Sequence, residues 1–314
     1  MIDLVLKTTV LAAVASLLTR RRRLETAADA HRLWLLVLAS PVLLVAINAT
    51  LPPVAYVVPR VDLASPISNE WTVVLYGGIA AALLGRVAAG LWGVRVLSRR
   101  ARRLGGADLA RLRLLAADDR LDIRESDVKV PVTAGVLRPC VILPRGWQSL
   151  AEPALSAILL HERAHVRRRD CTIALAAAIV EAVFWFNPGV WIASARLRLF
   201  AELACDAQAA SHLGGRQYAG QLLDLAADWA GARSPRYAVT AGAETHVATR
   251  IRLLIDGTPA NGRRRLLLPA VLLLMILATP LSGLVRFSAS REVRPAAAVG
   301  HDLHGHRPHA AFGH

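Results

Sequence analysis

The chain has 314 residues, of which 54% are hydrophobic and 19% charged, and its mean hydropathy is positive. This composition excludes a disordered, collagen-like or disulfide-stapled secreted protein. The formal net charge is +15, from 38 Lys and Arg against 23 Asp and Glu, and it favours an anionic partner such as the cytoplasmic face of a bilayer.

Three apolar runs in the first third of the chain are long enough to form membrane-spanning helices, at about residues 2–18, 33–51 and 71–97. The first and third runs end in arginine clusters, whereas the loop after the second run is nearly neutral. Because positive charge collects on the cytoplasmic side, the N-terminus is predicted to lie outside. A signal peptide carries its charge before the apolar run, so the first run is predicted to be an uncleaved anchor.

A fourth apolar run, residues 266–286, follows Arg263–Arg265 and gives the same orientation, with the C-terminus outside. The pattern therefore predicts a mainly α, multi-pass plasma-membrane protein with membrane lipids as partners. Its predicted parts are a three-span region 1–98, a cytoplasmic domain 99–265, the fourth span and a tail 287–314. No nucleic-acid motif is present, so direct nucleic-acid binding is not expected.

The segment between the third and fourth spans is more polar and begins with a predicted helix at about 107–117. Two β-branched runs bounded by Gly and Pro, 128–135 and 139–144, predict a hairpin or small sheet. Predicted helices follow at about 153–168, 172–186, 190–213 and 216–230. The run 172–186 fits a buried helix, an interfacial helix or a further span. Arginines on both flanks favour a helix that dips into the inner leaflet or packs against the bundle.

The predicted helix 153–168 contains the pattern H-E-x-x-H, formed by His161, Glu162 and His165. Histidines four residues apart lie on one helical face, so both rings can bind one metal ion. Zinc would lower the pKa of a water molecule, and Glu162 could then act as general base. The alternative is a surface helix whose His and Glu residues only contact solvent.

A catalytic zinc site usually needs a third protein ligand, and Glu202 and Asp206 are the obvious donors. They lie four apart on a predicted helix, so one can bind the metal while the other orients a histidine. Alternatively, they balance neighbouring arginines. Cys205 is interpreted as a small buried thiol. No spacing singles out one polar group for contact with an oxyanion among Tyr218, His212 and His246.

These motifs occur in one order: the spans, the strand pair ending at Pro144, H-E-x-x-H, Trp185–Pro188 and Glu202–Asp206 as E-L-A-C-D. As a set they resemble the BlaR/MecR-type (antirepressor) membrane zinc metallopeptidases over about residues 1–290. The resemblance implies a cytoplasmic α+β zincin-like (gluzincin) domain inserted before the last span.

The resemblance also implies His161, His165 and Glu202 as ligands of Zn²⁺, Glu162 as catalytic base and Asp206 as the residue that orients a ligand. A substrate would add to the strand near Val130–Val136. The implied function is signal transduction by regulated proteolysis. The implied reactions are self-cleavage and cleavage of a cytoplasmic winged-helix repressor. A homodimer is also possible.

The sequence departs from the antibiotic-sensing members after the fourth span. Those members carry a penicillin-binding domain with a Ser-x-x-Lys motif, and the short tail here contains no such motif. We therefore expect no β-lactam sensing through such a domain. Half of the 10 histidines of the chain lie in the tail, which could bind a transition metal or be a plain polar tail.

Two other functions are compatible with the sequence. One is a housekeeping membrane endopeptidase of the HtpX or CAAX-protease kind, since the HtpX kind also combines H-E-x-x-H with a downstream glutamate. The other is a non-enzymatic receptor or scaffold that keeps the zinc fold. A neighbouring repressor gene would favour signalling over housekeeping, and a silent Glu162→Ala change would favour the scaffold.

Overall fold

The computed structural model describes residues 2–20, 27–50, 69–230 and 242–256. Over these residues the chain is mainly helical, with one small sheet. The first helices are α1 (Ile2–Leu18), α2 (Ala27–Thr50), α3 (Asn69–Arg100) and α4 (Gly106–Leu115). Later helices are α5 (Glu152–Arg168), α6 (Asp170–Val183), α7 (Pro188–Leu213), α8 (Gly215–Ala230) and α9 (Gly242–Ile255). The strands are β1 (Arg102–Arg103), β2 (Ile123–Ser126), β3 (Val132–Ala134) and β4 (Cys140–Pro144).

Two helices in the described ranges are long and apolar enough to cross a membrane, α2 over Ala27–Ile47 and α3 over Glu70–Arg100. Helix α1 is a shorter apolar helix over Leu4–Leu18. The predicted runs 2–18, 33–51 and 71–97 thus fall almost entirely on α1, α2 and α3. The fourth predicted span and the His-rich tail lie outside the described residues, so the four-span topology and its orientation stay predictions.

The first half of α7 packs into the helical bundle formed with α1 and α2. Leu11 and Ala12 of α1, Trp34 of α2 and Val190 of α7 are all buried in one apolar cluster. Gly189 permits this contact, because a Cβ atom there would lie 2.9 Å from the backbone carbonyl carbon of Thr8. Helix α7 therefore begins inside the bundle and carries its second half towards α5.

Helix α6 lies between α3 and α7, which places the ambiguous run 172–186 against the bundle. Its 14 residues would extend only about 21 Å, less than the ~30 Å hydrocarbon core of a bilayer. The hydroxyl of Tyr76 in α3 donates a hydrogen bond to the carbonyl of Val183 at 2.8 Å. The Asn187 side chain then caps α7 by accepting from the backbone N–H of Gly189 at 3.0 Å.

The sheet has the strand order β1-β2-β4-β3. Strand β4 is buried at its centre. It pairs in parallel with β2 and antiparallel with β3, where Thr133 lies opposite Val141. The predicted pair 128–135 and 139–144 corresponds to β3 and β4. Strand β3 lies at an edge of the sheet and also contacts α5, so this edge borders the H-E-x-x-H helix.

Candidate metal centre

Helix α5 places the two histidines of H-E-x-x-H one turn apart. Pro153 stands in its first turn, where its missing N–H costs nothing, and apolar residues such as Leu159 bury its opposite face. The Nε2 atoms of His161 and His165 lie 3.1 Å apart. Both rings are mostly buried, with exposed side-chain fractions of 12% and 14%. The helix therefore holds both imidazoles towards one point.

Helix α7 brings the carboxylate of Glu202 to the same point. One of its oxygens lies 3.5 Å from His161 Nε2, and the other lies 3.5 Å from His165 Nε2. Tetrahedral zinc with bonds of about 2.0–2.1 Å places neighbouring ligand atoms roughly 3.4 Å apart. The spacing of the two ring nitrogens and the Glu202 carboxylate thus fits one metal ion of this size.

The second ring nitrogen of each histidine faces a carboxylate. His161 Nδ1 lies 3.1 Å from Asp206 Oδ1, and His165 Nδ1 lies 2.8 Å from Asp170 Oδ2. When each Nδ1–H donates to its carboxylate, both Nε2 lone pairs point at Glu202. Three electron-pair donors then meet without a proton between them, and this donor set suits a cation.

Asp170 was not singled out from the sequence. It is the first residue of α6, directly after the left-handed Arg169 that ends α5. Arg168 also contacts its carboxylate, at 3.2 Å. In the sequence, Asp170 is only an aspartate five residues after His165. The turn between α5 and α6 brings its carboxylate back to the His165 ring.

Asp206 is fully buried and is held by two further groups. Arg250 of α9 donates to both of its oxygens at 2.7 Å, and the hydroxyl of Tyr218 donates to Oδ1 at 2.9 Å. The guanidinium of Arg250 also lies 3.2 Å from Glu202, and the Tyr218 hydroxyl lies 3.1 Å from His161 Nδ1. Nothing in the sequence pointed to Arg250. Tyr218 was one of three polar residues among which the sequence did not distinguish.

The carboxylates strongly favour positive charge at this centre. Burial lowers the pKa of His161, but hydrogen bonds with Asp206 and Glu202 outweigh burial and raise that pKa to about 10. Burial raises the pKa of Glu202, yet His161 and the charge of Arg250 outweigh it and lower the pKa to about 2. The pKa of Asp206 is also lowered, because Arg250 more than offsets burial. Both carboxylates are therefore ionised at neutral pH.

Glu162 lies on the sheet side of α5 and is held by the edge strand. Its Oε2 accepts a hydrogen bond from the hydroxyl of Thr133 in β3 at 2.6 Å. The contact holds this carboxylate beside β3, next to the first of the two histidines in the chain. Thr133 had no signal in the sequence beyond its place in a predicted strand.

Cys205 and His212 lie close to the centre but have other partners. The Cys205 sulfur is buried, 3.4 Å from His165 Nδ1 and 3.5 Å from Asp170, and burial raises the pKa of the thiol. A neutral thiol is a poor metal ligand, so the structure agrees with a buried thiol. His212 lies 2.8 Å from the guanidinium of Arg163. The side chain of His246 lies outside the described residues.

Comparison with known proteins identifies the class. The sequence matches the family described as BlaR1 peptidase M56 over residues 53–254, and the chain belongs to this family of membrane metallopeptidases. It is 37% identical to the regulatory protein BlaR1 of Bacillus licheniformis over 79 residues, which cover 25% of this chain and 13% of that relative. It is 26% identical to the methicillin resistance mecR1 protein of Staphylococcus aureus over 82 residues, 26% of this chain and 14% of that protein. The matched segments thus span only a small part of both relatives.

Proposed function

We propose that the protein is a zinc-dependent membrane endopeptidase with His161, His165 and Glu202 as metal ligands and Glu162 as catalytic base. The observation that carries this proposal is the convergence of two Nε2 atoms and one carboxylate at 3.1–3.5 Å, with Glu162 one residue after the first ligand. When bound there, zinc would supply a Lewis acid that polarises a peptide carbonyl and acidifies a water molecule.

The residues around the proposed ligands would have separate roles in the reaction. Glu162 would take a proton from the attacking water and return it to the leaving amine. Thr133 would hold that carboxylate by its 2.6 Å hydrogen bond until the proton is transferred. Asp206 and Asp170 would keep each imidazole in the tautomer whose Nε2 lone pair faces the ligand cluster.

We further propose that the substrate binds as an extended segment beside β3. The position of β3 at the edge of the sheet, next to α5, supports this proposal. Backbone hydrogen bonds to an edge strand give affinity for any extended peptide, and pockets for alternate side chains give specificity.

We assign the protein to regulated proteolysis in signalling, with self-cleavage and cleavage of a cytoplasmic winged-helix repressor as its reactions. The matches with proteins named as regulatory and resistance proteins support this role. The peptidase region would face the cytoplasm from the plasma membrane, with both termini outside. In that orientation a soluble repressor can reach the site.

The decisive experiment compares wild type, Glu162→Gln and Glu152→Gln, each expressed as the full chain in a bacterial membrane. Glu152 lies on the same helix, is 62% exposed and pairs only with Arg111 in the described part of the chain, so it is a matched control. We expect self-cleavage fragments from wild type and from Glu152→Gln, about one zinc per chain in all three, and no fragments from Glu162→Gln. Cleavage by Glu162→Gln at the wild-type rate would refute its role as base.

Measuring the zinc content distinguishes an incorrect ligand assignment from an incorrect substrate assignment. If wild type holds no zinc, the ligand assignment is wrong. If wild type holds zinc but does not cut itself, a purified repressor encoded beside its gene is the next substrate. Failure to cut that repressor as well would leave the metal site standing and overturn the signalling role.

A further inference from the structure

A cavity separate from the candidate metal centre lies where α3 meets the sheet. Its volume is about 820 Å³, and its walls come from the C-terminal end of α3, the β3–β4 connection at residues 135–138 and Leu175 of α6. The lining residues include five arginines, Arg95, Arg99, Arg103, Arg124 and Arg138. None of the described residues that line the cavity is acidic.

Most of this positive charge is not neutralised. The guanidinium of Arg124 lies 2.6 Å from Asp122, so this arginine is paired. The other four arginines have no carboxylate partner within the described ranges. Four guanidinium groups without a described carboxylate partner around one cavity favour an anionic ligand, and guanidinium groups bind phosphate oxygens in bidentate geometry.

The cavity also lies at the depth expected of lipid headgroups. The apolar helix from Glu70 to Arg100 has 31 residues and therefore extends about 46 Å, whereas the hydrocarbon core of a bilayer is ~30 Å thick. About ten residues must protrude from the hydrocarbon. When Trp71 marks one interface, Arg95 falls in the opposite headgroup layer and Arg99 lies one turn further out.

Apolar side chains continue the cavity towards the membrane. Trp92 is 67% exposed and Leu137 is 92% exposed, and both line the cavity beside the arginines. An exposed leucine at the tip of a turn between strands has no described core to pack against, but it can pack against an acyl chain. An inorganic anion would leave these walls in water.

We propose that this cavity binds one anionic phospholipid, with its phosphodiester against Arg95, Arg99 and Arg138 and its acyl chain along Trp92 and Leu137. The site is independent of the metal centre and of the proposed peptidase function. It would fix the sheet, and with it β3, at the surface of the bilayer.

Native mass spectrometry of the full chain in detergent tests the proposal. Dioctanoyl phosphatidylglycerol is titrated against wild type, the cavity variant Arg99→Gln/Arg138→Gln and the control variant Arg100→Gln/Arg145→Gln. The control removes the same charge from α3 and from the sheet region, outside the cavity lining. We expect the cavity variant to need at least about tenfold more lipid for half-saturation, and the control variant to match wild type.

Wild type alone supplies a test that does not depend on the folding of any variant. Dioctanoyl phosphatidylcholine should bind it at least about tenfold more weakly than phosphatidylglycerol, and inorganic phosphate should not displace the lipid. Equal losses in both double variants would mean diffuse charge attraction. Displacement by phosphate would mean a free-anion site. Either outcome, or equal binding of the two lipids, overturns the proposal.

Discussion

At the scale of single residues, the proposed metal centre combines three candidate ligands with two carboxylates that lie behind the histidines. Asp206 and Asp170 each accept from the ring nitrogen that does not face the ligand cluster. Such partners fix the tautomer and raise the basicity of the ligand. The contribution of Asp170 can be measured separately, because it contacts His165 and not His161.

We expect Asp170→Asn to lower zinc affinity by about 10- to 100-fold, since an amide oxygen can still accept from Nδ1–H but lacks the charge. Zinc affinity is measured by competition with a chromophoric chelator in detergent. The control is Asp108→Asn, which removes an exposed carboxylate from α4. Unchanged affinity in Asp170→Asn would show that the 2.8 Å contact does not orient the ring.

A second prediction at this scale concerns the hydroxyl of Thr133. Thr133→Val keeps the shape of the side chain but removes the hydrogen bond to Glu162, so we expect kcat to fall about tenfold while zinc content stays the same. Thr133→Ser restores the hydroxyl and should restore most of kcat. If Thr133→Val and Thr133→Ser lower kcat equally, the hydroxyl does not position Glu162.

At the scale of elements, α7 couples the bundle to the centre, because its first half packs on α1 and its second half carries Glu202 and Asp206. We expect Gly189→Ala to force a backbone shift at Thr8, at a cost of about 1–3 kcal/mol. The thermal unfolding midpoint in detergent should fall by several degrees, and zinc affinity should fall with it.

The matched control for that change is Gly90→Ala in α3, where an added Cβ meets nothing within 4 Å. Alanine there should leave the midpoint unchanged or raise it slightly, because alanine favours the helix. Equal midpoints for the two variants would argue against the close approach of α7 to α1.

The long elements were predictable from local pattern, whereas the short ones were not. The predicted helices 153–168 and 190–213 match α5 and α7 within two residues at each end. Strands β1 and β2 escaped prediction because Arg102–Arg103 and Ile123–Ser126 are short and charged. Helix α9 was missed as well, since nothing local marks its start.

The residues of the candidate site also differ in whether the sequence could predict their contacts. Local spacing places His161 next to His165 and Glu202 next to Asp206, so the sequence could propose both pairs. The contacts of Asp170, Thr133 and Arg250 depend on how α6, β3 and α9 pack around α5. Such contacts have no signature in a single sequence, because any surface residue of those types would look the same.

At the scale of the whole molecule, the centre is assembled from segments that are far apart in the chain. Helices α5 and α7 supply the proposed ligands, β3 holds Glu162, and α9 closes the cluster through Arg250. The charge of Arg250 is opposed by two carboxylates, Asp206 at 2.7 Å and Glu202 at 3.2 Å. Its loss should therefore affect the fold and the metal site together.

We expect Arg250→Met to leave the charge of buried Asp206 poorly compensated, at a cost of about 3–5 kcal/mol, or roughly 10 °C in the unfolding midpoint. Adding Asp206→Asn removes that charge, so the double variant should be more stable than the sum of the single changes predicts. The four proteins of this cycle are compared by thermal unfolding in detergent, without added metal. Strict additivity would show that Arg250 does not stabilise the protein through Asp206, and that α9 is attached to the centre by its apolar contacts alone.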